Sequence, residues 1–111
     1  MTPKLNRQLL LEDAFRVPDD AGGFSVDWQV LGTHWAQVSP GTGREKATHN
    51  LPRSHVPMKI LVRAAPVGSP SRPIAGQRFR EGTRIYNINA VTEKDEAGRY
   101  LLCHAEEEVA T

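Results

Sequence analysis

Four histidines, one cysteine and a run of three glutamates are the side chains that could do chemistry in this 111-residue chain. His49 and His55 stand six apart with Pro52 between them, which is not the i, i+4 spacing that puts two imidazoles on one helix face. With Cys103 as the one thiol available to a zinc site, His34, His49, His55 and His104 read as loop or surface residues making ordinary hydrogen bonds. Cys103 and His104 are neighbours in a strand-like segment, so they point to opposite faces and do not pair as nucleophile and base. Cys103 reads instead as a small core or edge residue. Glu106, Glu107 and Glu108 read as a solvated tail rather than an acid–base pair. Residues 41–46 (GTGREK) lack the Gly-Lys-Ser/Thr ending and the following helix of a phosphate loop. No catalytic residue, cofactor-binding residue or metal ligand is assigned, and the chain is expected not to be an enzyme.

Arginine offers a second kind of chemistry. Arg78, Arg80 and Arg84 cluster near Arg72, with Phe79 and Tyr86 available to stack, which suits a module that binds single-stranded nucleic acid. Against that alternative, Phe79 and Tyr86 sit where a strand would bury them, and a net charge of +1 is not that of a strongly electropositive binder. The charge is unevenly spread: residues 59–92 are basic and residues 93–111 acidic. Identical subunits meeting head to tail could pair the two signs, because a heterologous interface brings different surfaces of one chain together.

These side chains have to be positioned by strands. Phe24, Val26, Trp28 and Val30 alternate with polar residues, the period of a strand with one buried face, and the segment continues past a bulge or bend at Gly32 through Val38 to a stop at Pro40. Val56, Met58, Ile60 and Val62 repeat the pattern. Residues 84–92 (RIYNINAVT) and 99–104 (RYLLCH) have strand composition, and the turn-like residues 94–98 join them as a hairpin. Residues 5–15 read as a first strand, with residues 18–23 (PDDAGG) as the loop into the next. The expected architecture is all-β, a small barrel of about six strands forming one domain over residues 1–111. Trp28, Val30, Ile60, Val62, Ile85 and Ile88 are its expected core.

Two connections are long for a compact domain, residues 39–55 and the Pro-rich residues 64–76. A core of this size is not expected to order them, so both are expected to order against a neighbour. The lone cysteine fits a reducing compartment, and no stretch has the length and apolarity of a signal peptide or membrane span, so synthesis and folding in the cytoplasm are expected, with no membrane partner.

The order of these pieces resembles the phage head-tail joining proteins, also called head completion, head closure or stopper proteins. The resemblance rests on Gly22-Gly23, Trp28, Thr33, Trp35-Ala36, Val38 and Pro40, then Gly43, Arg44-Glu45 and Ala47. It continues through Ile60, Val62 and Arg63 to Gly82–Ile88 (GTRIYNI), Val91 and Tyr100–Cys103. Residues 64–76 are longer than the family's usual connection. The resemblance implies a β-barrel with long extended loops, part of a tailed phage or a phage-derived gene transfer agent. It implies that copies form a sixfold or twelvefold ring at the head-tail junction, between the portal or adaptor protein and the tail terminator or tail tube, around packaged double-stranded DNA. It also implies that the loop carrying Gly41, Gly43, Arg44, Glu45, Lys46, Thr48, His49 and Asn50 reaches the channel or a neighbouring subunit.

Overall fold

The computed structural model describes residues 2–41 and 55–108. Six strands carry the chain: β1 (Arg7–Pro18), β2 (Phe24–Pro40), β3 (His55–Arg63), β4 (Arg78–Glu81), β5 (Arg84–Glu93) and β6 (Tyr100–Glu108). They close a barrel in the order β1-β2-β3-β6-β5-β4, every pair antiparallel. Closure leaves no free sheet edge within the barrel wall.

The turns form for local reasons. In the β1–β2 loop, Asp19 accepts from the N–H groups of Ala21 and Gly23 at 2.9 Å each, and Asp20 and Gly22 take positive φ. β4 and β5 are joined by Gly82 and Thr83 alone, with Gly82 at φ 62°. The sequence reading did not resolve β4, because Arg-Phe-Arg-Glu holds a single apolar side chain and shows no period.

The barrel is filled from the inner faces. Leu9 and Leu11 of β1, Ile60 and Val62 of β3, Phe79 of β4, Tyr86 and Ile88 of β5 and Leu101 and Cys103 of β6 form the buried core. Ile60, Val62 and Ile88 are therefore core residues as expected, but Val30, Trp28 and Ile85 are not. Ile85 is out of phase with Tyr86 and Ile88 and lies half-buried on the outer face.

The correction for Trp28 and Val30 comes from one extra residue. Leu11 pairs with Gly32 while Glu12 pairs with Val30, so Leu31 is a bulge near the position expected for one. Apart from Leu31 itself and Trp35, the apolar side chains of β2 sit at even positions, and the bulge reverses which face those positions occupy. After it, Ala36 is buried and Val38 packs on the core. Before it, the same parity points outward, leaving Phe24, Val26 and Val30 exposed by 63, 60 and 48%.

Past Glu12 and Val30 the β1–β2 pair leaves the barrel. β1 meets β4 only at Leu10, Leu11 and Glu12, and β2 meets β3 only from Ala36 to Pro40, while β1 and β2 stay paired out to Pro18 and Phe24. Residues 13–30 are thus a two-stranded arm.

Its base is clamped on the outer face. Glu12, with a side chain only 4% exposed, accepts from Arg78 Nε and Arg80 Nε at 2.7 Å each, and the Arg78 guanidinium stacks 4.0 Å from the centroid of Trp28. Gln77 Nε2 adds a 3.3 Å bond to Asp13 Oδ1. Burial pushes the Glu12 carboxyl up, but the two guanidinium bonds together hold it below its usual range.

The carboxylate is charged in the fold, so its contribution is full above the ordinary pKa of 4.5 and is lost as the pH falls below it. Glu12→Ala leaves two guanidinium groups without their carboxylate and should cost about 2–3 kcal/mol, measured by urea denaturation at neutral pH. The deficit relative to the unsubstituted protein should shrink when the measurement is repeated below pH 4.5.

Candidate functional site

The strand directions give the barrel two unlike ends. At one end are the arm, the C-terminal end of β3, residues 64–77 and the turn between β5 and β6; at the other are Gly41, His55, the β4–β5 turn and the last residues of β6.

Residues 64–77 are ordered by the barrel itself, contrary to the expectation that they need a neighbour. Pro73 is fully buried, Gly76 N–H donates to Ile88 O at 3.0 Å, and Ile88 N–H donates to Gln77 O at 3.0 Å. Arg72 Nη1 donates to Ala65 O at 3.0 Å, and Ile74 N–H to Gln77 Oε1 at 3.0 Å. The segment consists of short turns whose prolines have no N–H to satisfy, and it caps the arm end of the core.

His34 lies beneath this cap. Its ring meets Phe79 edge-on at 5.9 Å, and the Ser71 backbone provides its hydrogen bond. Burial pushes the His34 pKa below 6.5, the Ser71 contact opposing the shift. Of the other histidines, His49 lies outside the described residues, His55 begins β3 with Nδ1 3.9 Å from Glu106, and His104 lies on β6. Cys103 is in the core, its thiol pushed up to about 12 by burial. Among the described residues no three His, Cys, Asp or Glu side chains converge as metal ligands.

The opposite end is a lattice of charge pairs. Glu106, Glu107 and Glu108 are not a solvated tail: they extend β6 between β3 and β5. Arg84 pairs with Glu107 through bonds of 2.7 and 3.0 Å, Asn87 Nδ2 donates to Glu108 at 2.6 Å, and Arg7 Nε donates to Glu81 at 2.9 Å. Tyr86, buried in the core, reaches this lattice through its hydroxyl, which accepts from Arg7 and donates to Glu81. Arg78, Arg80 and Arg84, named above as nucleic-acid contacts, are each held by a carboxylate. Of these pairs, Arg84–Glu107 joins the basic middle to the acidic end inside one chain, while Arg78 and Arg80 are held by Glu12 of β1.

Of the channel-loop residues, Gly41 alone is within the described part; Gly43, Arg44, Glu45, Lys46, Thr48, His49 and Asn50 lie outside it. Gly41 N–H donates to Pro57 O at 2.8 Å, and a Cβ at this position would stand 3.0–3.2 Å from Pro57 Cβ, C and O. The loop therefore departs from a point where strand β3 leaves room only for glycine.

The family model described as phage head completion protein matches residues 1–108. The chain belongs to the phage head completion proteins. No curated protein matches it. A solved chain from the "Virion of native gene transfer agent (GTA) particle" is 53% identical to it, with a TM-score of 0.82, covering 99% of this chain and 100% of that one. A head completion protein is a structural part of a particle, and the all-β barrel agrees with the architecture expected from the strand pattern.

Two outcomes test the two ends of this head completion barrel. The fold disfavours protonated His34, so the unfolded chain takes up the extra proton; stability is full above pH 6.5 and declines below it. His34→Gln should flatten the pH dependence of the melting temperature between 6.5 and 4.5, the lower bound being where Glu12 and Glu81 begin to protonate in the unfolded chain. Gly41→Ala should lower stability by about 1 kcal/mol in the same melting assay, because the atoms it meets are largely backbone.

Proposed function

We propose that this chain is a head-tail connector subunit, a stopper that joins copies of itself in a ring between portal or adaptor and tail and closes or lines the DNA channel. The observation that carries the proposal is the match along essentially the whole chain to a subunit of a gene transfer agent virion. The two-ended barrel supports it, because a connector has to present different surfaces to the components above and below. All barrels of a ring share one orientation about its axis, so each end forms a continuous annulus.

In this reading the loop that leaves at Gly41 works in the channel. Arg44, Lys46 and Arg53 contact phosphate without sequence preference, as packaged DNA of any sequence requires. Glu45, Thr48, His49 and Asn50 meet the neighbouring subunit or the channel wall. The nucleic-acid module is the weaker reading, because Arg78, Arg80 and Arg84 would have to leave Glu12 and Glu107 to bind phosphate.

Because Gly41 and Pro57 are hydrogen-bonded neighbours, a short turn in place of residues 42–54 can close β2 onto β3. That replacement should leave the melting temperature within a few degrees and yield particles that leak DNA or lack tails. Filled, tailed and infective or transferring particles from it would refute the channel role. Locating the chain by electron microscopy in purified particles tests the placement: density at the head-tail junction supports it, and density elsewhere overturns it. Tight, salt-sensitive binding of the isolated protein to oligonucleotides would favour the module instead.

A further inference from the structure

The arm of residues 13–30 has no role in the barrel's own closure, yet it is built with care at its base and left bare along its length. Its strands pair with each other and, among the described residues, with nothing else past Glu12 on one side and Val30 on the other. A two-stranded ribbon with an exposed apolar face is marginal by itself and is what an interaction surface looks like. Phe24, Val26 and Val30 lie on that face, and Trp35, 55% exposed, continues it past the bulge. The strip from Phe24 to Trp35 runs about 36 Å at the rise of an extended strand.

Charge says what covers it. The arm carries Asp13, Asp19, Asp20 and Asp27 against Arg16, a net of −3, in a chain whose total is +1, so the remainder is +4. Two arms laid face to face would bring like charge together. An arm laid on another part of a second copy would bring opposite charge together, and that is a heterologous contact, the kind that closes into a ring.

Orientation narrows the receiving surface. In a ring the barrels point the same way, so each arm leaves at the level of its neighbour's arm end. There Val67 stands 82% exposed and Ile74 53% exposed on the ordered cap of residues 64–77, beside the exposed Arg63. An open groove of about 450 Å³ lies at this end, lined by Ala64, Val67, Arg72, Ala97 and the two carboxylates Glu93 and Glu96.

We propose that the arm is the element that joins subunits: the apolar outer face of one copy's arm packs on the arm end of the next copy, against Val67 and Ile74, with Arg63 and Arg72 facing Asp19 and Asp20 in the loop at its tip. The proposal rests on the ring reading above and adds the surface that makes the ring. The clamp of Glu12, Arg78 and Trp28 and the Gln77–Asp13 bond aim the arm before the partner arrives, so little order has to be imposed on association.

The test pairs two cysteines, Val26→Cys and Val67→Cys, in one chain, with native Cys103 silent because it is buried. Particles assembled with the double variant and oxidised with diamide should give a reducible ladder of this chain up to the full ring, and neither single variant should. Dimers from Val26→Cys alone would show arm against arm and overturn the proposal. Absence of disulfides in particles where an amine-reactive cross-linker still yields oligomers of the chain would leave the ring standing and refute the arm contact. Absence of oligomers with either reagent would instead defeat the ring reading itself. A second variant, Val26→Asp, should keep the wild-type melting temperature and fall at least tenfold in incorporation into particles; wild-type incorporation would refute the proposal.

Discussion

The architecture depends on the single extra residue at Leu31. A strand's side chains alternate strictly, so a β2 without a bulge would have to point all of its even-numbered apolar residues the same way. The barrel has room for Ala36 and Val38 on its inner face, and Leu9, Leu11 and Phe79 already fill the space beyond. By inserting Leu31 against the Leu11–Glu12 step, β2 changes faces part-way, and one continuous strand serves as barrel wall in its second half and as arm in its first. The same step puts Glu12 opposite Val30 on the outside, where Arg78 and Arg80 of the short strand β4 can reach it.

Charge is used sparingly and locally. Three carboxylates of the barrel wall are met by guanidinium groups from a neighbouring strand: Glu12 by Arg78 and Arg80, Glu107 by Arg84, Glu81 by Arg7. A buried charge of this kind is worth little against a well-packed apolar pair but costs much when left alone. Its value here is register. Moving β4 by one residue against β1 would turn Arg78 and Arg80 inward and Phe79 outward, losing two ion pairs and a core aromatic together.

The two ends of the barrel differ in the physics that orders them. The arm end is closed by turns whose prolines have no N–H to satisfy and whose backbone groups bond to β5 and to each other, with Pro73 and His34 inside. The other end is a lattice of polar side chains around the Tyr86 hydroxyl. The two ends of one small barrel thus present unlike surfaces, one apolar and capped by turns, the other polar.

Much of this was legible in the residues themselves. Strand composition and turn chemistry located five of the strands, the hairpin loop at Asp19 and the turn before Tyr100, because alternation and left-handed glycines are local properties. The burial of Tyr86 and the inertness of Cys103 followed from the same alternation. The family resemblance rested on the order of pieces along the chain, and the match to head completion proteins bears it out. Tertiary structure decided the rest. Whether Phe24, Val26, Trp28 and Val30 face a core or the outside depends on a bulge whose existence the sequence suggested but whose effect on facing it could not give, since parity has meaning only against the partner strand. Strand β4, the role of Glu106–Glu108 and the anchoring of residues 64–77 are all set by groups far away in the chain: Glu12 for Arg78, Arg84 for Glu107, Ile88 for Gly76. Local pattern encodes which segments extend; closure of the barrel alone determines which surfaces are left over for a partner.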